Sequence, residues 1–268
     1  MAHVEFIGPP GSGKSTLYRE LMADNRYPTI SQETVVRKAF CKKIGTRRAK
    51  AYQLLPEAAK SFLEDEILVY RFRYHALQKL ARDRPAFLSA ISDAYNSAAH
   101  DKHYLHQLWV DVAMRYYIGT NALQDGEVLV LDEGFVQRAV SFAWRESSED
   151  AVCRYLETMP EPCLLVYVDT PAEICLARQR ARGDLITDKP WTAGDLPTIQ
   201  KRHQKLCSEM VTRVECSVPV IEIEGTDDLS ETVETVGKAL DEELTNCSQY
   251  QFTTAESPWI TPRPVSDS

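Results

Sequence analysis

Positions 4 to 21 read VEFIGPPGSGKSTLYREL. Gly8 is followed, after four residues, by Gly13, Lys14 and Ser15, which is the spacing of the phosphate-binding template G-x-x-x-x-G-K-[ST]. Each residue type has a task. Gly8, Gly11 and Gly13 let the backbone curl, so that the N–H groups from Gly11 through Ser12 to Ser15 face one centre. A helix beginning near Lys14 adds its positive end at the same point. Lys14 can reach the outer phosphates as a point charge, and the Ser15 hydroxyl can sit on Mg²⁺. Thr16 belongs to the helix, near a base pocket or simply packed. The chemistry this loop serves is the holding of a nucleoside triphosphate.

Holding a triphosphate is not yet using it, so the ends of the other apolar runs matter. VLVLDEG (128–134) delivers Asp132, a carboxylate able to hold Mg²⁺ directly or through water, with Glu133 beside it. In LLVYVDTPAEICLARQRARGD (164–184), Pro171 opens a helix that carries Arg178, Arg180 and Arg182. Arg178 and Arg182 are four apart and share a helical face, where two guanidinium groups suit the charge that spreads over a phosphoryl group in flight. The following GDLITDKPWTAGD (183–195) has the Gly, Asp and Pro content of a mobile lid. VIEIEGTDDLSETVETV (220–236) gives a strand, Gly225 near the expected base site, and a helix with Ser230 as the candidate N-cap.

The elements that must position these groups alternate. Strands are expected at 3–7, 27–30, 127–132, 162–169 and 218–225, and helices at 14–24, 33–43, 50–124, 134–158, 171–182, 196–215 and 229–243. This is an α/β chain: a three-layer fold with a five-stranded parallel sheet covered on both faces. Right-handed crossovers place the loops that follow the strands on one edge, together with the phosphate loop. The stretch 50–124 carries no strand pattern and reads as a helical insertion between the second and third strands. One domain spans residues 1–247, with a lid at about 178–195, and the polar, Pro-containing stretch 248–268 reads as a flexible tail.

The 268 residues carry a net charge of −8, with 44% hydrophobic and 26% charged residues. The acidic balance argues against non-specific nucleic-acid binding and offers no basic membrane face. No apolar run reaches the roughly 18 residues of a membrane span. The N-terminus enters the first strand without a leader pattern, and the seven Cys are scattered with no C-x-x-C, so a reduced thiol set in a cytoplasmic protein is expected. His100, His103 and His106, three apart, lack the converging ligands of a metal site and read as a polar helix face.

GPPGSGKST, VLVLDEG, VYVDTPAEICLARQRARG and VIEIEGT occur in the order seen in the P-loop nucleoside and nucleotide kinases, which the chain resembles from residue 4 to about 240. The resemblance implies ATP with Mg²⁺ as donor, Arg178 and Arg182 as lid arginines, and Asp132 as the acid of a D-R-[YFW] or E-R-S motif. Glu133 stands where that family has Arg, which sets the chain apart from thymidylate kinases at the acceptor-phosphate clamp. Glu33, after the second strand, resembles in position the general base of deoxynucleoside kinases and would serve a hydroxyl acceptor. Arg37, Arg71, Arg73 and Arg138 are further acceptor-side candidates.

The expected activity is transfer of the γ-phosphoryl group of ATP to a hydroxyl or phosphate of a small acceptor: a nucleoside, a nucleotide or a sugar-like metabolite. Self-association into a homodimer is left open. The rival is a nucleotide-driven ATPase or switch acting on a macromolecule. No N-K-x-D motif supports it, and an arginine-bearing lid in the same chain disfavours it.

Overall fold

The computed structural model describes residues 3–24, 26–56, 59–60, 63, 69–124, 126–183, 185 and 195–248. Five strands form one sheet: β1 (His3–Ile7), β2 (Thr29–Ser31), β3 (Val128–Leu131), β4 (Leu164–Asp169) and β5 (Val220–Glu224). Their order is β2-β3-β1-β4-β5 and all pairings are parallel. The expected α/β class and five-stranded parallel sheet are thus present, with β1 as expected, β2 starting two residues later and ending one later, and β3, β4 and β5 shorter than expected by two or three residues.

Side chains on a strand alternate between its two faces, and the core divides accordingly. Val4, Phe6, Val128, Val130, Leu164, Val166 and Val168 pack with Leu17, Tyr18 and Leu21 of α1 (Lys14–Ala23) and with Val233, Val236 and Leu240 of α11 (Leu229–Ser248). Ile7, Leu129, Leu131, Leu165 and Tyr167 face the other way, into a larger cluster. That cluster is built from α2 (Gln32–Ile44), α4 (Val69–Asp83), α5 (Pro85–Ser97), α6 (Lys102–Ala122), α7 (Phe135–Trp144), α8 (Glu149–Thr158) and α10 (Leu196–Val214). The short α3 (Thr46–Gln53) closes a satellite cluster through Tyr52 and Phe40, and α9 (Ala172–Arg182) follows β4. No helix of the described residues is long and apolar enough to cross a membrane.

The region 50–124 is helical where described, but it is broken into pieces. Pro85 starts α5 at a position where its missing N–H costs nothing, and it thereby separates α5 from α4. The expected helix 134–158 likewise divides at Glu146, which adopts positive φ. Ser31 caps α2, its Oγ accepting from Thr34 N at 3.1 Å. Ser230 does not cap α11. Asp228 Oδ1 takes that role, accepting from Ser230 N and Glu231 N at 2.9 and 3.1 Å, because the helix begins at Leu229 and residue 228 is therefore its N-cap. The lid residues 184 and 186–194, the tail from 249 and the side chains of Arg71 and Arg73 lie outside the described residues.

One buried polar group aligns the site. Glu5, on the central strand, is fully buried, which is costly for an acid without partners. His3 Nε2 lies 3.0 Å from its Oε1, and Val136 N donates to its Oε2 at 2.9 Å. Glu5 therefore caps the start of α7 from within the sheet. The approach is close enough to require glycine at position 134, where a Cβ would fall 2.1 Å from the Glu5 carboxyl carbon. Gly134→Ala is expected to overpack this contact by roughly 1–3 kcal/mol and to lower the melting temperature by several degrees in a thermal denaturation scan. An unchanged melting curve would mean that Glu5 is free to move aside.

Candidate functional site

The loop from Gly8 to Ser15 leaves β1 and enters α1. Gly11 and Gly13 sit at φ 87° and 104°, the left-handed region where a side chain is strained. A loop that turns its N–H groups inward must turn its carbonyls outward, and these must find donors. All of them do. Pro9 O accepts from Ser12 N at 3.0 Å. Pro10 O accepts from Gln179 Nε2 and Gln200 Nε2 at 2.8 and 2.9 Å. Ser12 O accepts from Thr170 Oγ1 and Arg178 Nη1, both at 2.9 Å, and Gly11 O faces the same Arg178 nitrogen at 3.5 Å. Gly13 O accepts from Thr16 N and Leu17 N. Gly8 N is bonded to Gln137 Oε1 at 3.1 Å, which ties the loop to α7.

Arg178 thus braces the loop from outside. Its Nη2 also donates to Gly225 O at 2.8 Å, so one guanidinium joins the loop, α9 and the turn after β5. Gly225 N in turn donates to Asp169 O at 2.7 Å, and a side chain at position 225 would run into Thr170 and Ser12. Arg182, one turn beyond Arg178, is exposed and makes no such contact. The two arginines expected to act as a pair are engaged differently.

Lys14, Ser15, Asp132 and Glu33 do gather at the mouth of the loop. Lys14 is buried, its Nζ 3.4 Å from Glu133 Oε1. Ser15 Oγ donates to Asp132 Oδ2 at 3.1 Å. Glu33, in the first turn of α2, accepts from Tyr18 OH at 3.0 Å and lies 3.8 Å from Arg115 of α6, which is itself paired with Asp111 at 2.8 Å. Arg138, one turn into α7, reaches back to Glu133 Oε2 at 3.0 Å. Thr16 is exposed on α1.

The carboxyls respond to this setting. Burial, with Glu133 and Glu33 nearby, raises the pKa of Asp132 against the pull of Lys14 and Ser15. Partial burial also pushes Glu133 upward, but Lys14 and Arg138 outweigh it and leave the pKa low. At Glu33 partial burial is outweighed by hydrogen bonds from Gln32, the backbone and Tyr18 and by the charge of Arg115, so this acid too is held low. Burial and the Glu33 carboxylate drive the Tyr18 hydroxyl well above its usual range, which keeps it a donor.

Sequence reasoning missed Tyr18, Arg115 and Asp111, as well as the amides Gln137, Gln179 and Gln200. The i,i+4 spacing of Asp111 and Arg115 was a legible signal. Nothing in the sequence marks the glutamines. Of the histidines expected on a polar face, His103 meets Gln107 at 3.0 Å, and His106 packs edge-on between Tyr95 and Trp109.

Sheet, loop and gathered acids make an α/β fold in which a glycine-rich loop joins the central strand of a five-stranded parallel sheet to the first helix. A family model described as an AAA domain matches residues 4–84. No curated protein matches the chain by sequence. Solved structures similar to it include deoxyadenosine kinase from M. mycoides with products dCMP and a flexible dCDP bound, at 11% identity and TM-score 0.49, covering 90% of this chain and 99% of that one. The same enzyme with dCTP gives 12% identity and TM-score 0.44, covering 90% and 99%. With dATP the values are 11% and 0.45, covering 89% and 99%.

Arg178→Met should unseat Ser12 O and Gly225 O and destabilise the fold by about 2 kcal/mol, the scale of hydrogen bonds made by a charged donor. Arg182→Met should leave the unfolding midpoint in urea where it was. Equal midpoints for the two variants would refute the bracing role.

Proposed function

We propose that the chain is an ATP-dependent kinase that moves the γ-phosphoryl group onto a hydroxyl of a small, nucleoside-like or sugar-like acceptor. The observation that carries this reading is the Ser15–Asp132 pair at 3.1 Å beside a buried Lys14, at the N-terminus of α1. This arrangement gives a triphosphate its amides, its cation and its metal ligands in one place. ATP fits the loop's donors: the N–H groups of Gly11, Gly13 and Ser15, with Lys14 for the outer phosphates. The Ser15 hydroxyl and the Asp132 carboxylate are hard oxygen donors of the kind Mg²⁺ takes, and Mg²⁺ when bound would neutralise charge on the β- and γ-phosphates.

Glu33 is the residue that favours a hydroxyl acceptor over a phosphate. It is ionised at neutral pH, held by Tyr18 and Arg115, and close enough to Asp132 to raise that group's pKa. An alcohol must give up its proton during transfer, and a fixed carboxylate can orient the hydroxyl and accept it. Arg182, at the exposed end of α9, is assigned to the moving phosphoryl group, whereas Arg178 works through the loop it braces.

Lys14→Ala is expected to abolish acceptor-dependent ADP release from ATP and Mg²⁺ supplied with a pool of nucleosides, nucleotides and sugars. Glu33→Gln should lower kcat by roughly 10²-fold or more with little change in ATP affinity. ADP release that needs no acceptor and rises with a protein partner would favour a switch instead. The pH profile should fall on the acid side as Asp132 protonates. Because burial and the neighbouring acids raise this group's pKa, the acid limb of kcat/KM should lie above the ordinary aspartate value, and Asp132→Asn should remove the limb along with most of the activity.

A further inference from the structure

Lys14 is poised for phosphate, yet in this structure its ammonium already faces an anion. Glu133 Oε1 lies 3.4 Å from Lys14 Nζ, and Oε2 lies 3.0 Å from Arg138 Nη2. The Lys14 and Arg138 side chains are each 9% exposed, whereas Glu133 is 43% exposed. Two nearly buried cations therefore share one carboxylate that still touches water. The Arg138 Nε has no hydrogen-bond partner among the described residues, so this guanidinium keeps unused donor capacity next to Glu133.

Burying two cations with no counter-charge is expensive, so the carboxylate is required while the loop is empty. A phosphate chain on Lys14 reverses the situation. Its oxygens would occupy the ground Glu133 holds, and two like charges at that distance repel. Glu133 can leave Lys14 without losing its charge, because Arg138 holds its other oxygen and can take both.

We infer that Glu133 is an internal stand-in for phosphate, and that it sets how much negative charge a ligand must bring to Lys14 before the loop is occupied. This rests on the reading of Lys14 as a phosphate-binding residue. Glu133 is then a specificity-determining residue. Every ligand that reaches Lys14 must displace it, and Arg138 is the positioning residue that receives it. A ligand that does not reach Lys14 is indifferent to the exchange.

Isothermal titration of wild type and Glu133→Gln with tripolyphosphate, ATP and adenosine tests this. Glu133→Gln should bind tripolyphosphate and ATP about fivefold tighter, the scale of one partly exposed ion pair, and adenosine no differently. Arg138→Gln should weaken tripolyphosphate binding in the wild-type background and much less in the Glu133→Gln background, since its role passes through that carboxylate. Melting curves check that each variant is folded, and should Arg138→Gln not fold, Glu133→Gln alone decides. If a wild type that binds tripolyphosphate gains nothing, or loses affinity, on Glu133→Gln, the inference is overturned and the phosphate reading stands. If neither protein binds tripolyphosphate or ATP, both are overturned. An equal Arg138→Gln effect in the two backgrounds also overturns the exchange, because it would leave Arg138 as a general source of positive field.

Discussion

The loop of residues 8–15 keeps its shape because its carbonyls find donors behind it. Peptide groups cannot point both ends at one ligand, so the cradle is stabilised from behind. Thr170, Arg178, Gln179 and Gln200 supply that backing from the end of β4, from α9 and from α10. These donors lie more than 150 residues from the loop along the chain. The loop's shape is therefore a tertiary property, and the segment after β4 acts by holding the loop from behind.

A second constraint runs through the sheet. Glu5 fixes the N-terminus of α7, and Gln137 on the first turn of that helix bonds Gly8 N. The helix is thereby clamped to β1 and to the loop, and Glu133 and Arg138 inherit their positions from this clamp. Lys14 pulls on both carboxyls, lowering Glu133 and opposing the rise of Asp132, to which Glu133 itself contributes.

The sequence made much of this legible. The loop declared itself by residue type at fixed spacing, and the buried strands by unbroken apolar runs. Asp132 and Glu33 were readable as acids that follow strands in a parallel sheet. Arg178 shows where such reading stops. Spacing put it on a face with Arg182, but only the packing of α9 against the loop assigns its guanidinium to carbonyl oxygens. The glutamines behind Pro10 were invisible, because a neutral amide has no pattern until its partner is known. Ser230 reads as the cap in the sequence, but the helix begins before it, at Leu229, which leaves the role to Asp228. Arg138 was noted for its charge, but its tie to Glu133 needed the helical turn that brings it back.

The position of β1 has a consequence for how the chain acquires its shape. His3 pairs with Leu129 and Val4 with Leu164, so the strand at the centre of the sheet precedes both its neighbours by more than a hundred residues. During synthesis it emerges early and waits, an apolar ribbon with both edges bare, while the helices up to residue 122 form from local contacts. The phosphate cradle is then among the last features to set, since its backing arrives with α9 and α10. A nascent chain halted before β4 would carry every residue of the signature loop, with the tie to Gln137 but without the donors that hold its carbonyls at Pro10 and Ser12.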